Sequence, residues 1–128
     1  MKGICVLGAT GSIGVSTLDV VTRHSDLYKV VALTANKNIE LLYEQCLQHH
    51  PEYVVVVDSE KALEFKEKLK NSSISDIKVL SESQSLEFVA TLDNVDSVMA
   101  AIVGAAGLLP SLAAAKAGKT ILLANKEA

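Results

Sequence analysis

The stretch Gly8-Ala9-Thr10-Gly11-Ser12-Ile13-Gly14 decides how this chain is read. It follows an apolar run, Ile4-Cys5-Val6-Leu7, with the character of a buried strand, and opens a segment, 12–24, with the character of a helix. A glycine-rich turn between a strand and a helix N-terminus is a phosphate cradle: free backbone N–H groups and the positive end of the helix dipole face the anion. In this reading Gly8 serves the tight turn, Gly11 lets the backbone approach a pyrophosphate, and Gly14 allows close packing of helix on sheet. Thr10 and Ser12 add hydroxyl donors. The spacing is G-x-x-G-x-x-G rather than the commoner G-x-G-x-x-G, and a glycine turn without a ligand is the plainer alternative.

Working outward, strands and helices alternate. Segments 2–7, 28–34, 53–57, 97–103 and 120–124 read as strands, and 77–80 as a short edge strand. The valines of 53–57 suit a strand buried on both faces. Ile39, Leu42, Tyr43, Cys46 and Leu47 recur at helical spacing, with Pro51 beyond them as a stop. Ala62, Phe65 and Leu69 mark another helix, and 108–117 an alanine-rich one ended by Gly118. Repeated β–α units with right-handed crossovers predict an α/β fold: a doubly wound, mostly parallel sheet of the Rossmann-like, dinucleotide-binding kind. Ligands of such sheets bind beyond the carboxyl ends of the strands. Four loops therefore belong together: 8–14, 35–38, 104–107 and 125–128.

Composition narrows the function. The chain has 128 residues, 49% of them hydrophobic, enough for one domain with a substantial core. A net charge of −3, with three tyrosines, two phenylalanines and no tryptophan, argues against nucleic-acid binding. No apolar run reaches membrane-spanning length. No targeting segment precedes the first strand, and Cys5 and Cys46 read as reduced thiols, so a cytoplasmic location is expected.

The end of the second strand usually separates NAD from NADP. A carboxylate there grips the ribose 2′-hydroxyl and repels a 2′-phosphate. Here the run is Thr34-Ala35-Asn36-Lys37-Asn38, with no carboxylate before Glu40. Lys37 supplies a cation, and Asn36 and Asn38 supply amide donors, which favours NADP. The alternative is a solvated lysine with Asn38 as an ordinary helix N-cap. His24, His49 and His50 fall at helix ends without metal-ligand spacing. Asp93 and Asp96 precede a strand, on the wrong edge of the sheet for catalysis. Glu60, Lys61, Glu64, Lys66, Glu67 and Lys68 form a mixed-sign solvated face.

The quoted turn, followed by Ser16-Thr17-Leu18-Asp19-Val20-Val21, resembles the 1-deoxy-D-xylulose 5-phosphate reductoisomerase family. So does Val98-Met99-Ala100-Ala101-Ile102-Val103-Gly104-Ala105-Ala106-Gly107-Leu108. The run Ala117-Gly118-Lys119-Thr120-Ile121-Leu122-Leu123-Ala124-Asn125-Lys126-Glu127 is similar to the family's most specific signature. The likeness extends from end to end. It implies an NADPH-dependent enzyme that rearranges and reduces its sugar phosphate to 2-C-methyl-D-erythritol 4-phosphate, using Mg²⁺ or Mn²⁺, on the non-mevalonate route to isoprenoids. By the resemblance, Thr10, Gly11, Ser12 and Ile13 hold the NADPH phosphates, and Lys37 and Asn38 attend the 2′-phosphate. Asn125 and Glu127 contact the cofactor, and Lys126 reaches the substrate. Asn36 stands where the family often has glycine, and Ala128 where it usually has serine.

The same resemblance makes residues 1–128 an NADPH-binding domain. It puts the metal-binding carboxylates, the catalytic residues and the C-terminal domain outside this chain, in a full-length homodimer. Alone, the chain is expected to bind NADPH without turning substrate over. Two alternatives are a free-standing NADP(H)-binding module without catalysis, and another NADP-dependent reductase with a similar glycine turn.

Overall fold

The computed structural model describes residues 1–102 and 107–123. In chain order the elements are β1 (Lys2–Leu7), α1 (Ser12–Arg23), β2 (Tyr28–Ala35), α2 (Ile39–His49), β3 (Tyr53–Val56) and α3 (Ser59–Lys70). They continue with β4 (Lys78–Ser81), α4 (Gln84–Ala90), β5 (Ser97–Ala100), α5 (Leu108–Lys116) and β6 (Thr120–Leu123). The described strands form one sheet in the order β4-β3-β2-β1-β5-β6. Every neighbouring pair is parallel, so the expected mostly parallel sheet is parallel throughout its described part.

Alternation along the strands builds two cores. Ile4 and Val6 of β1, with Val54 and Val56 of β3, face Leu18 and Val21 of α1, Leu42 and Cys46 of α2, and Phe65 and Leu69 of α3. Cys5, Leu7 and Val55 point the other way, toward Leu86 and Val89 of α4 and Ala114 of α5. Helices thus cover both faces, the arrangement that near-continuous apolar strands require. In β2 the alternation skips once. Ile4 pairs with Val30 but Cys5 with Ala32, so Val31 is an inserted residue and shares its face with Ala32.

The direction of winding reverses at β1. The chain runs outward through β2, β3 and β4, then returns to β5 on the other side of β1. The carboxyl end of β1, between β2 and β5, is thus the switch point of the sheet, the usual ligand position in this architecture. The opposite edge is pinned by Asp96. Its carboxylate accepts from Gly3 N at 2.8 Å, and its N–H and carbonyl bond to Gly3 and Thr120. That is a structural role, on the edge expected from its place ahead of a strand.

Several boundaries differ from expectation. β2 runs to Ala35, one residue further, and β4 is shifted by one, leaving Ile77 buried just ahead of it. β5 ends at Ala100 rather than 103 because pairing with β1 and β6 stops there. Helix α4, which sequence periodicity does not announce, spans seven residues and buries Leu86, Val89 and Ala90. On the α1 side of β5 and β6, the described residues leave a trough of about 520 Å³ lined by Ile13, Val20, Met99 and Leu122.

Candidate functional site

The turn after β1 is built by three short tethers. Gly8 adopts φ +83°, a left-handed conformation that suits glycine, and its N–H donates to Thr34 Oγ1 at 2.8 Å. Ala9 N–H donates to the Thr34 carbonyl at 2.7 Å. The Ala9 carbonyl accepts from Gln45 Nε2 at 2.8 Å. Thr34 ends the apolar run of β2 and Gln45 sits on the inner face of α2; both are buried. Within the turn, Gly11 N–H reaches the Gly8 carbonyl at 3.3 Å.

The three glycines then separate into different jobs. A Cβ on Gly14 would stand 2.2 Å from Gly8 O and 2.6 Å from Ala9 Cα, so α1 is seated on the turn as closely as backbone allows. A Cβ on Gly11 would meet only Gly8 O, at 3.7 Å, and Gly11 is exposed. Packing does not demand glycine there; room for something approaching from outside does. Helix α1 begins at that point with Gly11 as N-cap, no side-chain cap and no acidic residue in its first turn. Among the described residues, the N–H groups of Thr10, Ser12, Ile13 and Gly14 have no partner. Four unpaired donors at the positive end of a twelve-residue helix form an anion seat.

The second segment, 36–38, leaves the adjacent strand β2 at the same edge of the sheet. Asn36, Lys37 and Asn38 are all exposed. The Asn36 carbonyl accepts from Asp58 N at 3.1 Å, which ties the segment to the end of β3. Asn38 is the N-cap of α2, its Oδ1 accepting from Leu41 N at 3.2 Å, as the plainer sequence reading had it. Lys37 Nζ lies 3.9 Å from Asp58 Oδ2. Asp58 itself caps α3 by accepting from Lys61 N at 3.0 Å.

Thus Thr10, Gly11, Ser12 and Ile13 are brought together at the N-terminus of α1, with Asn36, Lys37 and Asn38 beyond the neighbouring strand end. Of the third loop, Gly107 is described and 104–106 are not. Asn125, Lys126 and Glu127 lie outside the described residues. Sequence reasoning missed Thr34, Gln45 and Asp58. The available signals were a hydroxyl closing an apolar strand, an amide at a helical core position, and an aspartate just ahead of a helix.

Titratable groups away from this edge serve the fold instead. His50 caps α2 at φ +46° and meets Asp76 at 2.9 Å, a contact that lowers the Asp76 pKa. Half-burial of His49 disfavours its charged form and lowers its pKa. Cys5 and Cys46 are buried, and burial pushes both thiols up to about 12. Among the described residues, no three His, Cys, Asp or Glu side chains are grouped to hold a metal ion. None of the described helices is long and apolar enough to cross a membrane.

The sheet order, the switch point at β1 and the unpaired donors of α1 together define an α/β fold of the Rossmann-like class. The family model for 1-deoxy-D-xylulose 5-phosphate reductoisomerase matches residues 4–128, and the chain belongs to that family. The reductoisomerase of Methylococcus capsulatus is 61% identical over 128 residues, covering 100% of this chain and 32% of that protein. That of Nitrosomonas europaea is 56% identical over 126 residues, covering 98% of this chain and 30% of that one. Among solved structures, the Zymomonas mobilis reductoisomerase in complex with NADPH superposes with a TM-score of 0.88 at 40% identity, over 97% of this chain and 32% of that chain. A DOX-P reductoisomerase in complex with NADPH, fosmidomycin and magnesium gives 0.92 at 39%, over 98% and 30%. The chain spans about a third of the length of these relatives.

Proposed function

We propose that this chain is the NADPH-binding domain of a reductoisomerase that converts 1-deoxy-D-xylulose 5-phosphate to 2-C-methyl-D-erythritol 4-phosphate. The observation that carries the reading is the α1 N-terminus. Four N–H groups lack partners among the described residues beside an exposed glycine, at the switch point of a parallel sheet. That constellation fits a dinucleotide diphosphate, the part of NADPH that needs the most donors. Membership of the reductoisomerase family supplies the substrate and the reaction.

In this assignment Thr10, Gly11, Ser12 and Ile13 hold the diphosphate through backbone N–H groups and hydroxyls. Lys37 pairs with the 2′-phosphate, and Asn36 and Asn38 offer amide donors around it. Asn125 and Glu127 contact the cofactor further along, and Lys126 reaches the sugar phosphate. Bound NADPH supplies the hydride that reduces the rearranged aldehyde. The chain's own task is to seat and orient it. Ligands for Mg²⁺ or Mn²⁺ and the catalytic side chains belong to parts of the enzyme beyond these 128 residues. The assembled enzyme is a cytoplasmic homodimer acting on a small sugar phosphate, a location that two buried, unpaired thiols support.

The test is a pair of assays. The 128-residue chain is titrated with NADPH and NADH, and the full-length protein is assayed for metal-dependent NADPH oxidation with 1-deoxy-D-xylulose 5-phosphate. Binding by the short chain without turnover, and turnover by the long one, is expected. Equal affinity for the two cofactors, or metal-dependent turnover by the short chain, would overturn the assignment.

A further inference from the structure

We infer that Gln45 is a positioning residue for the phosphate-binding turn: by holding the Ala9 carbonyl it aims the Thr10 N–H at the bound diphosphate. The inference rests on assigning the 8–14 turn to that diphosphate. It begins from the peptide group shared by Ala9 and Thr10. The described chain contains no cis peptide bond, so this group is planar and trans, with its C=O and N–H directed oppositely. Fixing one end aims the other. Gln45 Nε2 donates to the carbonyl at 2.8 Å from inside the protein, from a side chain that is 7% exposed. The N–H at the far end belongs to Thr10, which has no partner among the described residues.

The other tethers cannot substitute for it. Thr34 Oγ1 fixes the peptide N–H of Gly8, and the Thr34 carbonyl fixes that of Ala9. Both act one or two peptide groups earlier. Without Gln45 the Ala9–Thr10 peptide is free to rotate its carbonyl toward water, which swings the Thr10 N–H away from the seat.

Gln45 also carries a cost that space-filling does not explain. Its Oε1 is buried with no hydrogen-bond partner. Methionine would occupy a similar volume beside Leu42 and Cys46 without leaving a buried acceptor unpaired. What the amide offers in return is a donor, and its acceptor lies in the turn rather than in the core.

The experiment uses the full-length protein and two probes, NADPH and adenosine 2′-phosphate, which lacks the diphosphate. Gln45→Met removes the donor at constant length. The expected result is a rise of about tenfold in the NADPH dissociation constant, as for loss of a hydrogen bond to a charged group. Binding of adenosine 2′-phosphate stays within about twofold, the KM for NADPH rises in step, and kcat at saturating NADPH changes little. A merely structural residue would weaken both probes together. Gln45→Asn, which keeps an amide one methylene short of Ala9, takes the place of Gln45→Met if that variant does not fold, with the same result expected. Wild-type NADPH affinity in the variant, equal losses for both probes, or failure of both variants to fold would overturn the inference. A wild-type protein that binds NADPH no more tightly than adenosine 2′-phosphate would instead remove the diphosphate assignment, and this inference with it.

Discussion

Lys37 Nζ stands 3.9 Å from Asp58 Oδ2, so the cation assigned to the 2′-phosphate already has an anionic neighbour. The lysine side chain is 67% exposed and the aspartate 27%, a pairing too solvated to hold Lys37 firmly. An incoming phosphate has two charges to offer against one. Lys37→Ala should therefore reduce the preference for NADPH over NADH by about tenfold to a hundredfold, the worth of charge-assisted bonds to one phosphate. Fluorescence titration of both cofactors checks it.

Asp58→Asn should act in the opposite direction. Asparagine caps a helix as well as aspartate does, so the bond to Lys61 N and the start of α3 survive. Removing the carboxylate frees Lys37 and lifts a repulsion. NADPH should bind up to about fivefold more tightly, the upper range for a solvated pair, with NADH unaffected. A matching gain for NADH would show that the effect is not on the 2′-phosphate.

Gly11 and Gly14 should separate binding from folding. Gly14→Ala places a methyl 2.2 Å from Gly8 O, which backbone cannot yield cheaply, and a loss of at least about 3 kcal/mol is expected in denaturant melts. Gly11→Ala meets only Gly8 O at 3.7 Å and should cost below about 1 kcal/mol, mostly as a poorer N-cap. Its NADPH affinity should nonetheless fall by about tenfold, because the methyl stands between diphosphate and amides.

Acid should weaken the fold in two windows of the same sign. His49 has a folded pKa below the ordinary 6.5, so the unfolded chain takes up its proton first. Stability is then highest above 6.5 and declines as pH falls through the lowered value. Asp76, held below 3.8 chiefly by its hydrogen bond with His50, contributes above 3.8 and loses that contribution as pH falls through its own lowered pKa. Denaturation curves across pH should show His49→Gln flattening the first slope and Asp76→Asn the second.

Neither cysteine should react with a thiol reagent in the native state. Both thiols are buried with pKa values pushed up to about 12. They also lie on opposite faces of the sheet, Cys5 toward α4 and α5 and Cys46 on α2, so they cannot bridge. Labelling should follow global unfolding by denaturant, with both released together.

What the sequence discloses here follows the range of each interaction. The glycine turn is legible because most of its geometry is local: Gly14 answers to Gly8 and Ala9, Gly11 to an open approach, and Gly8 to its own left-handed φ, although a Cβ on Gly8 would also make a long-range contact with Ala101 and Ile102. Strands such as Tyr53–Val56 and the α2 stripe declare themselves by period. Helix α4 does not, because seven residues complete too few turns to show one. The tethers of the turn are out of reach for another reason. Thr34 is 26 residues from Gly8 and Gln45 is 36 from Ala9, and nothing in the intervening composition encodes those encounters. The Asn38 cap is visible beforehand, whereas the Asp58 neighbour of Lys37 emerges only when β2 and β3 lie side by side.

Strand β2 mounts both segments of the proposed cofactor site. Its residue Thr34 grips the 8–14 turn, and two residues later the Asn36 carbonyl is moored to Asp58, the N-cap of α3. On the proposed seating, a single rigid rod sets the span between the diphosphate and the ribose phosphate, and the strand works as a gauge. Charge alone then does not satisfy the site. An isomer of the cofactor with its extra phosphate on the neighbouring ribose carbon carries the same charge at the wrong span, and is turned away by length.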